Sequence, residues 1–203
     1  MRRYLLTTSA SLLMTFSLLA PAQAAYTATI EQVGSNVVVT GSGTLDLDGL
    51  TYQGTDSFIS GISPDEAVIG VGSPNSDPVD VYNGFSGPAN FGSGGDTIPS
   101  NSGSGDKVAI EEFFDELGVP AGYLSNTPLA DTSTYDNATF ASLGLTPGTY
   151  EWTWTPVGDV TDDNFILQIG PLAATSVPEP LTLSLFGAGL AGAMAMRRRK
   201  IKV

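Results

Sequence analysis

Neither cysteine nor histidine occurs anywhere in the 203 residues. Without cysteine there can be no disulfide, no thiolate nucleophile and no lipid attached through a cysteine, so an apolar core must hold any fold together. Without histidine, Ser-His-Asp and Cys-His catalysis have no parts, and losing both residue types removes the usual zinc ligands. Positive charge is nearly absent from the middle of the chain. Arg2 and Arg3 stand at the start, five basic residues stand between Arg197 and Lys202, and Lys107 alone lies between. Residues 25–177 hold 20 acidic side chains against that one lysine, a net charge of −19. Such a surface repels nucleic acid and anionic lipid, so no nucleic-acid partner is expected. No cofactor motif is present, and none is expected to bind.

What is present is organised by the two ends. Arg2 and Arg3, an apolar stretch from Leu5 to Leu19 and the small-x-small site Ala22-Gln23-Ala24 have the form of a signal peptide over residues 1–24, cut by signal peptidase before Ala25. At the other end, Val177-Pro178-Glu179-Pro180 precedes an uncharged run from Leu181 to Met196, then Arg197, Arg198, Arg199 and Lys200. About 16 residues rise about 24 Å as a helix, and long arginine side chains extend the reach to headgroups. A single transmembrane helix over about 181–196 is the expectation. The basic block beyond it should act as a cytoplasmic stop-transfer signal that keeps the C-terminus inside.

The order Pro-Glu-Pro, apolar helix, arginine block resembles the PEP-CTERM sorting signal. That resemblance implies export in a Gram-negative bacterium that makes exopolysaccharide, and a precursor held in the membrane by residues 173–203. It also implies processing near Pro178 by an exosortase-type enzyme, and release to the cell surface or extracellular matrix, where exopolysaccharide is a candidate partner. Leu181 stands where the family usually has serine or threonine. Read without the resemblance, the same residues describe a membrane anchor whose proline starts a helix.

Between the ends, residues 25–172 read as one acidic β-rich domain. Tyr26, Ala28 and Ile30 alternate with polar residues, Gly34-Ser35 breaks the run, and Asn36–Thr40 starts a second strand, together a hairpin. Leu45 and Leu47 continue an alternation. Phe58-Ile59, Ala67–Val71 and Val79–Tyr82 are short strand candidates, with Ser63-Pro64-Asp65 as a turn. Residues 83–105, rich in glycine and serine, are either a linker or a long loop, and Phe85 and Phe91 favour the loop because a solvated linker gains nothing from them. Lys107–Leu117 fits a short helix or a strand running into one helical turn, ended by Gly118 and Pro120. Tyr150, Trp152 and Trp154 share one face of a strand, and Phe165, Leu167 and Ile169 share one face of the next. The fold class expected is all-β, an antiparallel β-sandwich. Gly43–Asp46, Tyr82–Pro88 with Phe91-Gly92, and Ala138–Tyr150 running into Trp152-Thr153-Trp154 resemble recurring segments of one subset of the same family, with Thr155 and Asn164 where relatives commonly carry glycine and a hydroxyl residue.

Carboxylates are the only reactive inventory. Asp46 with Asp48, or Asp159 with Asp162 and Asp163, supply oxygens of the kind calcium takes, but neither matches a complete loop motif, and solvated turns are the plainer account. No Asp-Thr-Gly or Asp-Ser-Gly occurs, which argues against an aspartic protease. A glycosidase pair cannot be picked out by spacing. The Trp152–Trp154 stripe could stack on sugars if exposed, although paired aromatics on one strand face are more often core. No catalytic or metal residue is assigned, and the expected protein is not an enzyme; a carbohydrate- or calcium-dependent adhesive module is the alternative.

Overall fold

Residues 25–158 and 161–170 are described by a computed structural model, and among them every regular element is a strand or a single 3₁₀ turn. The first hairpin forms where alternation predicts it. β1 (Ala25–Val33) pairs antiparallel with β2 (Asn36–Gly43), and the chain reverses at Gly34, whose φ of +63° suits glycine. Tyr26, Ala28 and Ile30 face inward with Val37 and Val39.

β3 (Thr51–Phe58), β4 (Gly61–Ser63), β5 (Val68–Val71), β6 (Asp77–Asn83), β7 (Ile98–Pro99), β8 (Ser102–Gly105), β9 (Val108–Glu111), β10 (Glu116–Pro120), β11 (Leu129–Tyr135), β12 (Gly148–Trp154) and β13 (Asp163–Ile169) complete the set. They form a six-stranded sheet in the order β12-β13-β1-β2-β11-β8 and a seven-stranded sheet in the order β3-β6-β10-β9-β5-β4-β7. Buried side chains of both sheets, among them Ile30, Leu167, Ile69 and Ile110, belong to one apolar cluster.

One pairing departs from the all-antiparallel expectation. β1 and β13 run parallel, with Tyr26 beside Phe165, Ala28 beside Leu167 and Ile30 beside Ile169. Parallel neighbours need a long crossover. Here nearly the whole body intervenes, so the first and last strands of the described chain close the first sheet together.

Two local expectations are corrected and a third is refined. Leu45 and Leu47 are buried, but residues 44–47 form no strand. Lys107–Leu117 is the second of its two alternatives, the strand β9 running into a 3₁₀ turn at Glu112–Phe114, yet Gly118 and Pro120 do not end it, because they belong to β10. The stretch 83–105 is a packed loop that also contributes β7 and β8. Phe91 is fully buried, and Phe91 N–H donates to Pro64 O at 2.8 Å.

The two faces of the second sheet differ. Alternation and register put Ile69, Ile110 and Leu117 on the inner face and Val68, Gly70, Ala109, Glu111, Glu116 and Gly118 on the outer. A side chain at Gly118 would collide with the Phe58 ring, so the missing Cβ lets Phe58 lie over the outer face. The expected signal peptide, the expected transmembrane run and the sorting residues fall outside the described residues. Among the described residues no helix is long and apolar enough to cross a membrane.

Candidate functional site

Ala22, Ala24, Val177, Pro178, Glu179, Pro180, Arg197, Arg198, Arg199 and Lys200 lie outside the described residues, as does Asp159. What can be placed is the aromatic stripe and the carboxylates.

The stripe is core. Trp152 is 0% and Trp154 4% exposed, and Tyr150 packs at the cluster's margin. Trp152 stands opposite Phe165 on β13, edge to face at 5.8 Å, a geometry aromatic rings prefer. Gly87 lies against the Trp152 indole with no room for a Cβ, and Ser86 and Thr153 exchange backbone hydrogen bonds at 3.0 and 2.9 Å. Trp154 Nε1 donates to Asp46 O at 2.7 Å, and Gly92 bridges Leu145. The three segments that resemble family relatives, around 43–46, 82–92 and 138–154, therefore pack on one another. Their shared pattern is accounted for by this corner of the core rather than by an open sugar platform.

Asp46 and Asp163 come together, as neither proposed calcium cluster required. Asp163 is buried, and its two carboxylate oxygens accept the backbone N–H groups of Asp46 and Asn164. Burial raises its pKa to about 6, with those two N–H groups opposing the rise. Asp46 accepts from Asp48 N–H and Asn126 Nδ2, each at 3.0 Å. The pair pins the loop after β2 to the start of β13. Asp162 accepts from Thr155 Oγ1 at 2.6 Å. Among the described residues no group of three or more acidic side chains is placed to hold a metal ion.

Two buried polar centres carry no sequence signature. Tyr26 Oη, in the middle of the first sheet, donates to both Asp131 oxygens at 2.7 and 2.8 Å. Burial lifts the Asp131 carboxyl to about 7 despite that hydrogen bond. Lys107 is also buried, and its ammonium donates to Ser60 Oγ at 2.9 Å, to Asn75 O at 3.1 Å and to Ser73 O. Burial lowers its pKa, with Asp77 opposing. The lone cation of the body is thus spent inside, on neutral oxygens.

Three further carboxylates, Glu111, Glu116 and Asp56, act on one another at the second sheet. Glu111 on β9 and Glu116 on β10 are directly opposed across the strand pair, a position where like charges repel. Asp56 on β3 adds to the field at both. Burial first, then Glu116 and Asp56, push Glu111 up to about 7, and Glu116 is raised for similar reasons. Glu111 lines a hollow of about 300 Å³ together with Phe58, Ile59, Val68 and Phe114. Here apolar walls and a raised carboxyl meet.

Two acidic β-sheets around a shared core define an all-β protein with no metal cluster among its described residues. Residues 176–200 match the family model of the PEP-CTERM protein-sorting motif, and the chain is a protein carrying a PEP-CTERM sorting domain. That motif marks an exported protein with a membrane-anchored precursor, sorted by exosortase to the cell surface. No curated protein and no solved structure matches the chain.

Proposed function

We propose that the chain is a non-enzymatic surface protein of a Gram-negative bacterium. In this reading residues 25–172 form a β-sandwich cargo domain, delivered into the exopolysaccharide-containing matrix once residues 173–203 have served as anchor and address. The match over 176–200 carries the reading, because it covers both Val177–Pro180 and the Arg197–Lys200 block in their expected order. Support for a passive body comes from its chemistry. The domain lacks histidine and cysteine, its tryptophans are consumed by packing, and its most buried carboxylates are held by backbone N–H or tyrosine donors. The adhesive alternative loses its exposed aromatic platform.

Mass spectrometry of surface material tests the maturation. The expected species begins at Ala25 and ends close to Pro178. If the dominant exported form retains peptides from Arg197 to Val203, the sorting reading fails and the tail is a plain anchor.

A further inference from the structure

We propose that the hollow on the outer face of the second sheet is a docking groove for a lysine side chain carried by a partner polypeptide. The aliphatic stem would lie along Phe58, Ile59, Val68 and Phe114, and the ammonium would meet Glu111. The inference goes beyond the sorting reading and does not depend on it.

Three observations converge on this occupant. The groove, about 300 Å³, has apolar walls and few polar groups besides Glu66, Thr97 and Glu111. Its walls are unusually open for apolar residues: Phe114 is 57% exposed, its ring edge to face with that of neighbouring Phe113 at 4.9 Å, and Ile59 is 46% exposed. The charge is also uncompensated. No hydrogen-bond donor or cation among the described residues reaches the Glu111 carboxylate, and the body's single lysine is buried elsewhere.

Competing occupants fit less well. A bare metal ion finds no group of three ligands. A pyranose would bring a ring of hydroxyls to walls that offer few partners, and each unpaired hydroxyl is costly to bury. A lysine side chain is a four-carbon stem with a charged tip, which suits an apolar slot ending in a carboxylate, and an ammonium gains further from the faces of Phe58 and Phe114. A second copy of the same chain is disfavoured by its own charge. The carboxylates acting on Glu111 are Glu116 from β10 and Asp56 from β3, and Glu66 from the turn after β4 lines the same groove, so the charge around it is acidic and favours a cation. Glu111 must shed its proton to form the pair, and binding should strengthen as pH rises through neutrality.

The test uses the full chain in a neutral detergent, titrated with the capped peptide acetyl-Gly-Gly-Lys-Gly-Gly-amide and followed by amide chemical shifts. Shifts should concentrate at Gly70, Thr97, Glu111 and Phe114, and affinity should rise from pH 5 to pH 8. Glu111→Gln should weaken binding by about tenfold, on the scale of losing one partner of a desolvated charge pair, and Phe114→Ala by about threefold. Asp48→Asn, the same loss of charge at an exposed loop, should change affinity less than about twofold. The proposal is overturned if Asp48→Asn weakens binding as much as Glu111→Gln, which would mean diffuse attraction. It is equally overturned if a norleucine peptide binds as well as the lysine peptide, or if glucosamine tetrasaccharide shifts these amides and the peptide does not. Phe114→Ala guards against misfolding, since an exposed side chain can be trimmed without opening the core.

Discussion

In the first sheet, β13, β1 and β2 hide one face and wet the other, whereas β4, β5 and most of β9 in the second are buried on both. The outer positions of these three strands are half-buried or exposed, and most are polar, as at Thr27, Thr29, Thr40, Asn164 and Gln168, with Val38 and Ile166 among them. The second is roofed at its centre by Phe58 and the chain that follows it, and its outer face therefore keeps small apolar residues beside carboxylates that water reaches poorly. The largest buried rings of the strands, Trp152, Tyr26, Tyr135 and Phe165, belong to the first arrangement, and the opposed Glu111 and Glu116 to the second. Mutations that separate stability from charge can break or sharpen the contrast.

The largest effect should come from Trp152→Ala. Trp152 is fully buried between Phe165 and Gly87, and removing it leaves a cavity that rigid backbone on the Gly87 side cannot close. Truncating a buried aromatic typically costs about 3–5 kcal/mol, a large part of the 5–15 kcal/mol that holds a domain of this size. Chemical denaturation of the full chain in detergent should show that loss. Near-native stability would mean that the first sheet is not where the fold is held.

Asp163→Asn should come next, at about 2–3 kcal/mol. The carboxylate accepts one backbone N–H on each oxygen, and an asparagine has only one acceptor to offer, so its amide would confront either Asp46 N–H or Asn164 N–H. Amide hydrogen exchange should quicken at Asp46 and along β13. Unchanged protection there would show that the loop after β2 is held by its other bonds, those to Trp154 Nε1, Tyr123 Oη and Ser125 Oγ.

The same contrast explains what could be read from the sequence. The β1–β2 hairpin and the β12–β13 pair were legible because a strand wet on one side must alternate, and turns mark where it stops. β3 was not, since Thr51–Phe58 is an edge strand exposed along nearly all its length and has no apolar face to display. β11 hides its period for the opposite reason: two of its inward positions are Asp131 and Ser133, polar side chains satisfied by Tyr26 and by Gly72. The parallel pairing of β1 with β13 joins residues more than a hundred positions apart, beyond any local pattern. The outer-face carboxylates were invisible for a related reason. Glu111 and Glu116 oppose each other only because the Glu112–Phe114 turn folds β10 back on β9, and Asp56 joins them from a strand the sequence did not reveal.

The smallest effect, and the one that bears on the second sheet, is the pH dependence of Glu111→Gln. Glu111 titrates near 7 in the folded chain rather than near its ordinary 4.5, because burial and then the Glu116 and Asp56 carboxylates disfavour its charged form. The folded state therefore binds the proton more tightly than the unfolded state does. The stability this contributes is fully present below about pH 4.5 and is lost as pH climbs through about 7. Glutamine keeps the shape and never ionises. Thermal melts should thus coincide for the two proteins at pH 4, and the variant should be the more stable at pH 8. Partial exposure of Glu111 limits the gain to about 1–2 kcal/mol, a few degrees in Tm. The variant should still lose some stability across the same range, because Asp131 and Asp163 are raised by burial in the same direction. If Glu111→Gln instead destabilises at every pH, the Glu111 carboxylate is a structural member of the second sheet like Asp163 in the first. The contrast between a sheet that holds the fold and a sheet that holds open charge would then collapse.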